Sequence, residues 1–445
     1  MLDARNDFDY RTADRESIER AARRLVGKWL IDIDPSAPMV SSSPTTKGVV
    51  GRIYESGFGI PANSIAGPDF PGAGIELKSV PILLVGGEAR AKERISISMI
   101  NFAKLAAQTW DSAEIRKKLD RMLMIFYGWE PLQPIARFRT LAAGMWNPDE
   151  STLRTIRSDW ERIRDLVASG ERDQVSESLS SILGAATKGP GHGSRSRAWS
   201  LKQPFVGWLY KEMSGAEPVP ARSSALDPAA AFEGHVLSVL APYVGMTFDR
   251  LAKAVGRTGK GGKGAVATVV RSMVGEKAKG RSGDFARYGI EVKIVPVNHR
   301  GKLVERMSFP AFVHEELVFE TWPDSDLLGR LNRLLIIPVH REKKVSLSQT
   351  TLGRPFFWSP TEGELEGISR EWEVVRRLIA DKRPNDLPKG SETEFVHART
   401  HGRDSSDIEQ APGGFDVTKK SFWLNDRYLE RILEEHGALT APRSR

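Results

Sequence analysis

The sequence predicts an α/β protein built from two copies of one domain, and three observations carry that reading. The chain has 445 residues, beyond the roughly 100–200 of an ordinary domain, so two or three domains are expected. Segments recur in the same order: "WNPDESTLRTIRSDWERIRDLV" from Trp146 is matched by "WSPTEGELEGISREWEVVRRLI" from Trp358, with the same gap between paired tryptophans, and "RMLMIFYG" from Arg121 by "RLLIIPVH" from Arg333. Between the copies, "SGAEPVPARSSALDP" (Ser214 to Pro228) is rich in proline, serine and alanine and reads as a linker. Shared order at this scale is a tandem duplication rather than a short solenoid repeat.

The elements follow from spacing. Arg15 to Leu30 places Ile18, Ala22, Leu25 and Trp29 on one face, which predicts an amphipathic core-packing helix. "GIELKSVPILLV" alternates as a half-buried strand, and "RMLMIFYG" is a short apolar strand. The segment from Asn147 reads as a capped helix that stops at Gly170. The tryptophans are better used in cores than on bases, and Trp146 and Trp358 recur as packing residues would.

Composition excludes several classes. With 40% apolar and 27% charged residues the chain should fold as a globular protein. No apolar run is long enough to cross a membrane, and the acidic, polar N-terminus does not resemble a secretion signal, so a cytoplasmic location is expected. The absence of cysteine excludes disulfides, thiolate zinc sites and thiol nucleophiles. A net charge of +8 favours a polyanionic partner if the excess is clustered.

The chemistry concentrates in "PDFPGAGIELKSVP" (Pro68 to Pro81) and its counterpart "GDFARYGIEVKIVP" (Gly283 to Pro296). Residues two apart on a strand face one side, so Glu76 and Lys78 project together, and the glycine-bearing turn can return Asp69 beside them. Carboxylates at one point raise each other's pKa unless a divalent cation neutralises them. Oxygen-only ligation suits Mg2+, with Mn2+ able to substitute. Such an ion lowers the pKa of bound water and stabilises charge on a phosphoryl oxygen, while the ammonium orients the water. A lone Glu-x-Lys is an ordinary surface pair; recurrence of acid, turn, Glu, Lys and "VP" as a unit is not.

The stretch "DFPGAGIELKSVP" resembles the PD-(D/E)xK nuclease core of the MutH mismatch-repair nicking endonucleases and of the Sau-type restriction endonucleases, which carry two MutH-like domains. "KGVVGRIYE" is similar to the family stretch ending in an active-site glutamate, here Glu55, and "EIRKKLDRMLMI" to the segment with a further catalytic lysine, here Lys118. "LGAATKG" falls where the family places a DNA-reading loop, "SLKQPFVGWL" where its C-terminal arm lies, and "HARTHGRDSSD" at the second half's reading-loop position. The resemblance covers nearly the whole chain. It implies two restriction-endonuclease-fold domains, each a mixed central sheet flanked by helices: a catalytic domain over 1–213, a linker over 214–228, and a DNA-binding, allosteric domain over 229–445.

The halves differ. The first keeps Glu55, Asp69, Glu76, Lys78 and Lys118; the second keeps Asp284, Glu291 and Lys293 but has Arg271 for the glutamate and Arg330 for the last lysine. Arginine beside a metal site competes with the cation for carboxylates, so the second is expected to be at most a degenerate site. For DNA reading we expect Lys188 in the first half and Arg399 and His401 in the second. Lys260 and Lys263 in "GRTGKGGKGAV" should follow the DNA backbone; that segment has no phosphate-loop register, so nucleotide hydrolysis is not expected.

The resemblance implies a Mg2+-dependent type II restriction endonuclease cutting double-stranded DNA at GATC, 5′ of the guanine, with Asp69, Glu76 and the Leu77 carbonyl on the metal. It also implies a cognate DNA methyltransferase in the same cell and leaves a homodimer on DNA open. A mismatch-repair nickase and a non-cleaving GATC-binding regulator are the alternatives, and duplication argues against the first.

Overall fold

The computed structural model describes residues 8–41, 48–62, 67–85, 88–119, 121–188, 196–215, 225–256, 265–274, 283–341, 347–402 and 406–440. The chain divides into two compact units, Met1–Val175 with Ile182–Leu226, and Ser176–Ser181 with Asp227–Arg445. Most of the expected linker lies outside the described residues, and its last residue already opens a helix, Pro228–Leu240, whose cap Asp227 accepts from Ala230 N–H at 3.1 Å.

In the first unit the strands are β1 (Glu76–Val85), β2 (Glu88–Ala91), β3 (Ile95–Met99), β4 (Met122–Gly128), β5 (Thr140–Trp146), β6 (Leu183–Thr187) and β7 (Arg197–Leu201). A mixed sheet has the order β2-β1-β4-β5, with β1 and β4 parallel and both outer pairings antiparallel. A second, antiparallel sheet has the order β3-β7-β6. Helices Arg15–Arg23, Val49–Gly57, Glu150–Ala168 and Gln203–Met213 flank them.

In the second unit the strands are β8 (Ile290–Val297), β9 (Ser308–Phe312), β10 (Arg333–His340), β11 (Thr351–Leu352), β12 (Phe356–Trp358), β13 (Val396–Thr400), β14 (Ile408–Ala411), β15 (Phe415–Thr418) and β16 (Lys420–Leu424). Parallel β8 and β10 are extended by antiparallel β11 and β12, β13-β16-β9 form an antiparallel sheet, and β14-β15 a hairpin.

The duplication holds to the register. Glu76 and Lys78 of β1 pair with Met122 and Met124 of β4; Glu291 and Lys293 of β8 pair with Leu334 and Ile336 of β10. The matched tryptophans are core residues: Trp160 packs edge-on against Trp110, and Trp372 lies tilted against Trp322, at 5.8 and 5.7 Å between ring centroids. The acid before each does equivalent work. Buried Asp159 accepts from the Ile182 and Leu183 N–H groups at 2.8 and 3.0 Å, fixing the start of β6. Glu371 accepts from the Phe395 and Val396 N–H groups at 3.0 and 2.8 Å, fixing the start of β13.

Three local expectations are corrected. The first helix ends at Arg23, not Leu30: Gly27 adopts φ +86° and its N–H turns to the Thr140 carbonyl of β5 at 2.8 Å, which a continuing helix forbids. Ile18, Ala22 and Leu25 are buried as expected, but Trp29 is 44% exposed under the Arg139 guanidinium. "LGAATKG" is largely strand β6, because its small residues pack against β7. The turn before β1 is not repeated before β8, where Gly283–Arg287 is helical, since "DFAR" lacks the Pro-Gly tip of "DFPGAG".

Candidate active site

The first-unit site is assembled by a hairpin. Phe70 and Ile75 form a two-way bridge, with Phe70 N–H to Ile75 O at 2.9 Å and the reverse at 3.2 Å. The tip Pro71-Gly72-Ala73-Gly74 needs both glycines: Gly74 has φ +65°, and a Cβ on Gly72 would lie 2.4 Å from the Arg11 carbonyl oxygen. Buried Phe70 locks the hairpin edge-on against Phe58 at 5.2 Å. The turn returns Asp69 to β1, where its Oδ2 accepts from the Leu77 N–H at 2.7 Å. On either side of Leu77, Glu76 Oε1 is 2.7 Å from Lys78 Nζ. Asp69, Glu76, Leu77 and Lys78 therefore meet at the N-terminal end of β1.

Glu55 enters from the Val49–Gly57 helix. Buried Tyr54 ties that helix to β5 through a 2.9 Å hydrogen bond between its hydroxyl and that of Thr140. A Cβ on Gly51, one turn before Glu55, would be 3.6 Å from Ser79 Oγ, so this helix lies close over β1. Burial and the Asp69 charge raise the Glu55 pKa against the opposing Arg52. Burial raises Asp69 as well; the Glu76 charge adds to it, while the Leu77 N–H and Lys78 act against it. Lys118 is exposed at the end of the Glu114–Lys118 helix, just before β4, and its side chain is not bonded to these carboxylates.

This donor set fits a hard divalent cation. Two carboxylates and the Leu77 carbonyl are oxygen donors, and raised pKa values mark acids whose ionisation a cation would favour. Among the described residues no group of three His, Cys, Asp or Glu side chains forms a cage. Mg2+ is commonly held by one or two carboxylates plus substrate oxygens, so a cage is not needed.

In the second unit the carboxylates that remain are already paired with built-in cations. Glu291 is bonded to Lys293 at 2.7 Å and to Arg330 Nη1 at 3.3 Å. Arg330 also holds Asp326 at 2.6 Å; burial works against its charge, but Asp326 and Glu291 raise its pKa above the ordinary guanidinium value. Arg271 Nη2 donates to the Val292 carbonyl at 3.1 Å, the counterpart of the Leu77 carbonyl. Asp284 lies 3.8 Å from Arg287, and Lys293 also donates to the Ser308 carbonyl at 2.8 Å. Sequence reasoning anticipated Arg271 and Arg330; it missed Arg287 and the backbone acceptor of Arg271.

The DNA-reading expectations are placed unevenly. Lys188 follows β6 and donates to Ser96 Oγ of β3 at 2.6 Å. Arg399 is exposed on β13 with its guanidinium 5.1 Å from the Trp423 ring centroid. His401 bonds Ser421 Oγ at 2.6 Å and leans on the same tryptophan. Lys260 and Lys263 lie outside the described residues. Among the described residues no helix is long and apolar enough to cross a membrane.

Comparisons with known proteins agree with the duplication. The family model described as DNA mismatch repair enzyme MutH matches twice, over residues 58–159 and 276–371. The type II restriction enzyme Sau3AI of Staphylococcus aureus is 25% identical over 95% of this chain and 98% of its own. The DNA mismatch repair protein MutH of Vibrio campbellii is 31% identical over 47% of this chain and 97% of its own. That of Klebsiella pneumoniae is 31% identical over 38% of this chain and 73% of its own. The chain belongs to the MutH family and carries two copies of its domain.

Proposed function

We propose that this protein is a type II restriction endonuclease that hydrolyses double-stranded DNA at GATC in its first domain, with Mg2+ as cofactor. It is a site-specific deoxyribonuclease, in keeping with the restriction enzyme that aligns with nearly its whole length and the MutH enzymes that align with one half. The observation that carries the reading is the hairpin that delivers Asp69 to the Leu77 N–H while β1 holds Glu76 against Lys78.

Asp69, Glu76 and the Leu77 carbonyl would hold Mg2+, which supplies Lewis-acid stabilisation of phosphoryl charge and a more acidic water. Lys78, already directed at Glu76, would orient the attacking water and balance charge as the P–O bond breaks. Glu55 would add a third carboxylate from its helix, and Lys118 would meet the scissile phosphate. In the second domain arginines take the place of that ion, which supports a DNA-binding effector role over cleavage. This reading places the enzyme in the cytoplasm beside a methyltransferase that protects the host's own sites.

Digestion of one-site and two-site plasmids with Mg2+, followed by end mapping, tests it. The expected result is double-strand breaks 5′ of GATC guanine without helper proteins, faster on two sites. Nicking that needs a helper protein would favour mismatch repair, and GATC binding without cutting would favour a regulator.

A further inference from the structure

A cavity of about 630 Å3 opens beside the β13-β16-β9 sheet of the second unit. Its wall carries Arg306, Lys389, His397, Arg399, Asp426 and Arg427. The single acid among them, Asp426, is bonded through Oδ2 to Arg306 at 2.9 Å, and its Oδ1 is buried without a hydrogen-bond partner. Among the described residues Lys389, Arg399 and Arg427 are exposed and stand in no ion pair, so the wall carries a net excess of positive charge. The helix Asp426–Glu435 begins at its edge and adds the positive end of its dipole.

The surroundings are built rather than loose. Asn425 Nδ2 donates to the Gly390 and Thr393 carbonyls at 2.6 and 2.8 Å, pinning the loop that carries Lys389. Glu392 turns back to accept the Lys389 N–H at 2.7 Å, which keeps its carboxylate on the loop backbone. His397 is 6% exposed, its Nδ1 buried with no hydrogen-bond partner, and a Cβ on Gly390 would sit only 3.1–3.3 Å from its ring. Thr393 Oγ1 is likewise buried and unpartnered. Unsatisfied polar atoms of this kind in a cationic wall mark a place where a ligand or water completes the bonding. Burial, with the Arg399 and Arg306 charges, lowers the His397 pKa against Asp426, which registers the local positive field.

We propose that this cavity is a phosphate-binding site, with Lys389 and Arg427 as its principal cations. The phosphate can belong to the DNA backbone or to a free phosphate or phosphate ester, and only the first source rests on the DNA-binding role given to this domain. The full chain and its Lys389→Gln/Arg427→Gln variant would be titrated calorimetrically with inorganic phosphate. In parallel, affinity for a duplex lacking GATC would be followed against salt concentration. The expected result is saturable phosphate binding weakened at least about tenfold in the variant, as two charge-assisted contacts require. If the backbone is the source, the slope of log K against log salt also falls by about two. Lost phosphate binding with an unchanged slope assigns the site to a free phosphate or phosphate ester; a lowered slope alone assigns it to the backbone. A variant that matches wild type in both measurements overturns the proposal. Either single substitution serves if the pair does not fold.

Discussion

The two acid/lysine clusters sit on parallel strand pairs in the same register, yet their charges are balanced in opposite ways. Around Asp69, Glu55 and Glu76 the partners are the Leu77 N–H, Lys78 and the Arg52 charge, and burial still raises the pKa of Asp69 and Glu55. Around Asp284 and Glu291 stand Arg287, Lys293 and Arg330, while Arg271 takes the backbone carbonyl between them. A site with excess negative charge recruits a mobile cation; a site with guanidinium groups built in has no need of one. Lys293 and Glu291 are each only 11% exposed, so their pairing is structural: removing one partner leaves a buried charge.

The sharpest way to break this contrast is to neutralise each glutamate. Glu76→Gln should lower plasmid cleavage by at least about a thousandfold, since several kcal/mol of metal-borne stabilisation are lost. Glu291→Gln should leave cleavage within about tenfold but cost about 2 kcal/mol of stability, read from urea denaturation, because Arg330 and Lys293 lose the negative charge they share. Equal losses of cleavage would erase the distinction.

Exchange of the cations is the next test. Arg271→Glu with Arg330→Lys, placed in an Asp69→Ala background, should restore divalent-ion binding at the second site, measured by titration calorimetry with Mn2+. The converse Glu55→Arg should abolish it at the first.

A smaller effect concerns the shared scaffold. Asp159→Ala should destabilise by about 2–3 kcal/mol, because two buried N–H groups lose their acceptor. Glu371→Ala should cost less, its carboxylate being less buried, and the ordering is read from thermal melts of both variants.

The smallest effect is on pH dependence. Asp69 has a folded pKa above its unfolded value, so its unfavourable contribution is absent below the unfolded pKa and grows as pH rises through the folded one. Without metal, Asp69→Asn should therefore melt no lower than wild type at neutral pH. Cleavage should fail on acidification above the ordinary carboxylate range, and more Mg2+ should move that limb to lower pH, checked by rate profiles at two concentrations.

Much of this was legible in the residues. Paired tryptophans, the Glu-x-Lys strands and the arginine replacements are patterns of residue type, and periodicity located their elements. Other features depend on what the backbone does. The Arg271 acceptor is a carbonyl, which no side-chain pattern reveals. "DFPGAG" and "DFAR" align as text but fold as hairpin and helix. The cationic cavity draws on Arg306, the Lys389 loop, β13 and Arg427, which are distant in sequence and meet only after β13 and β16 pair.

The central claim is that a divalent ion is captured by Asp69 and Glu76 and by no counterpart in the second domain. Mn2+ binding to the full chain with a GATC duplex, followed by electron paramagnetic resonance, tests it most directly. The account predicts binding that disappears in Asp69→Ala and is unchanged in Asp284→Ala; binding that survives the first substitution, or is lost with the second, would contradict it.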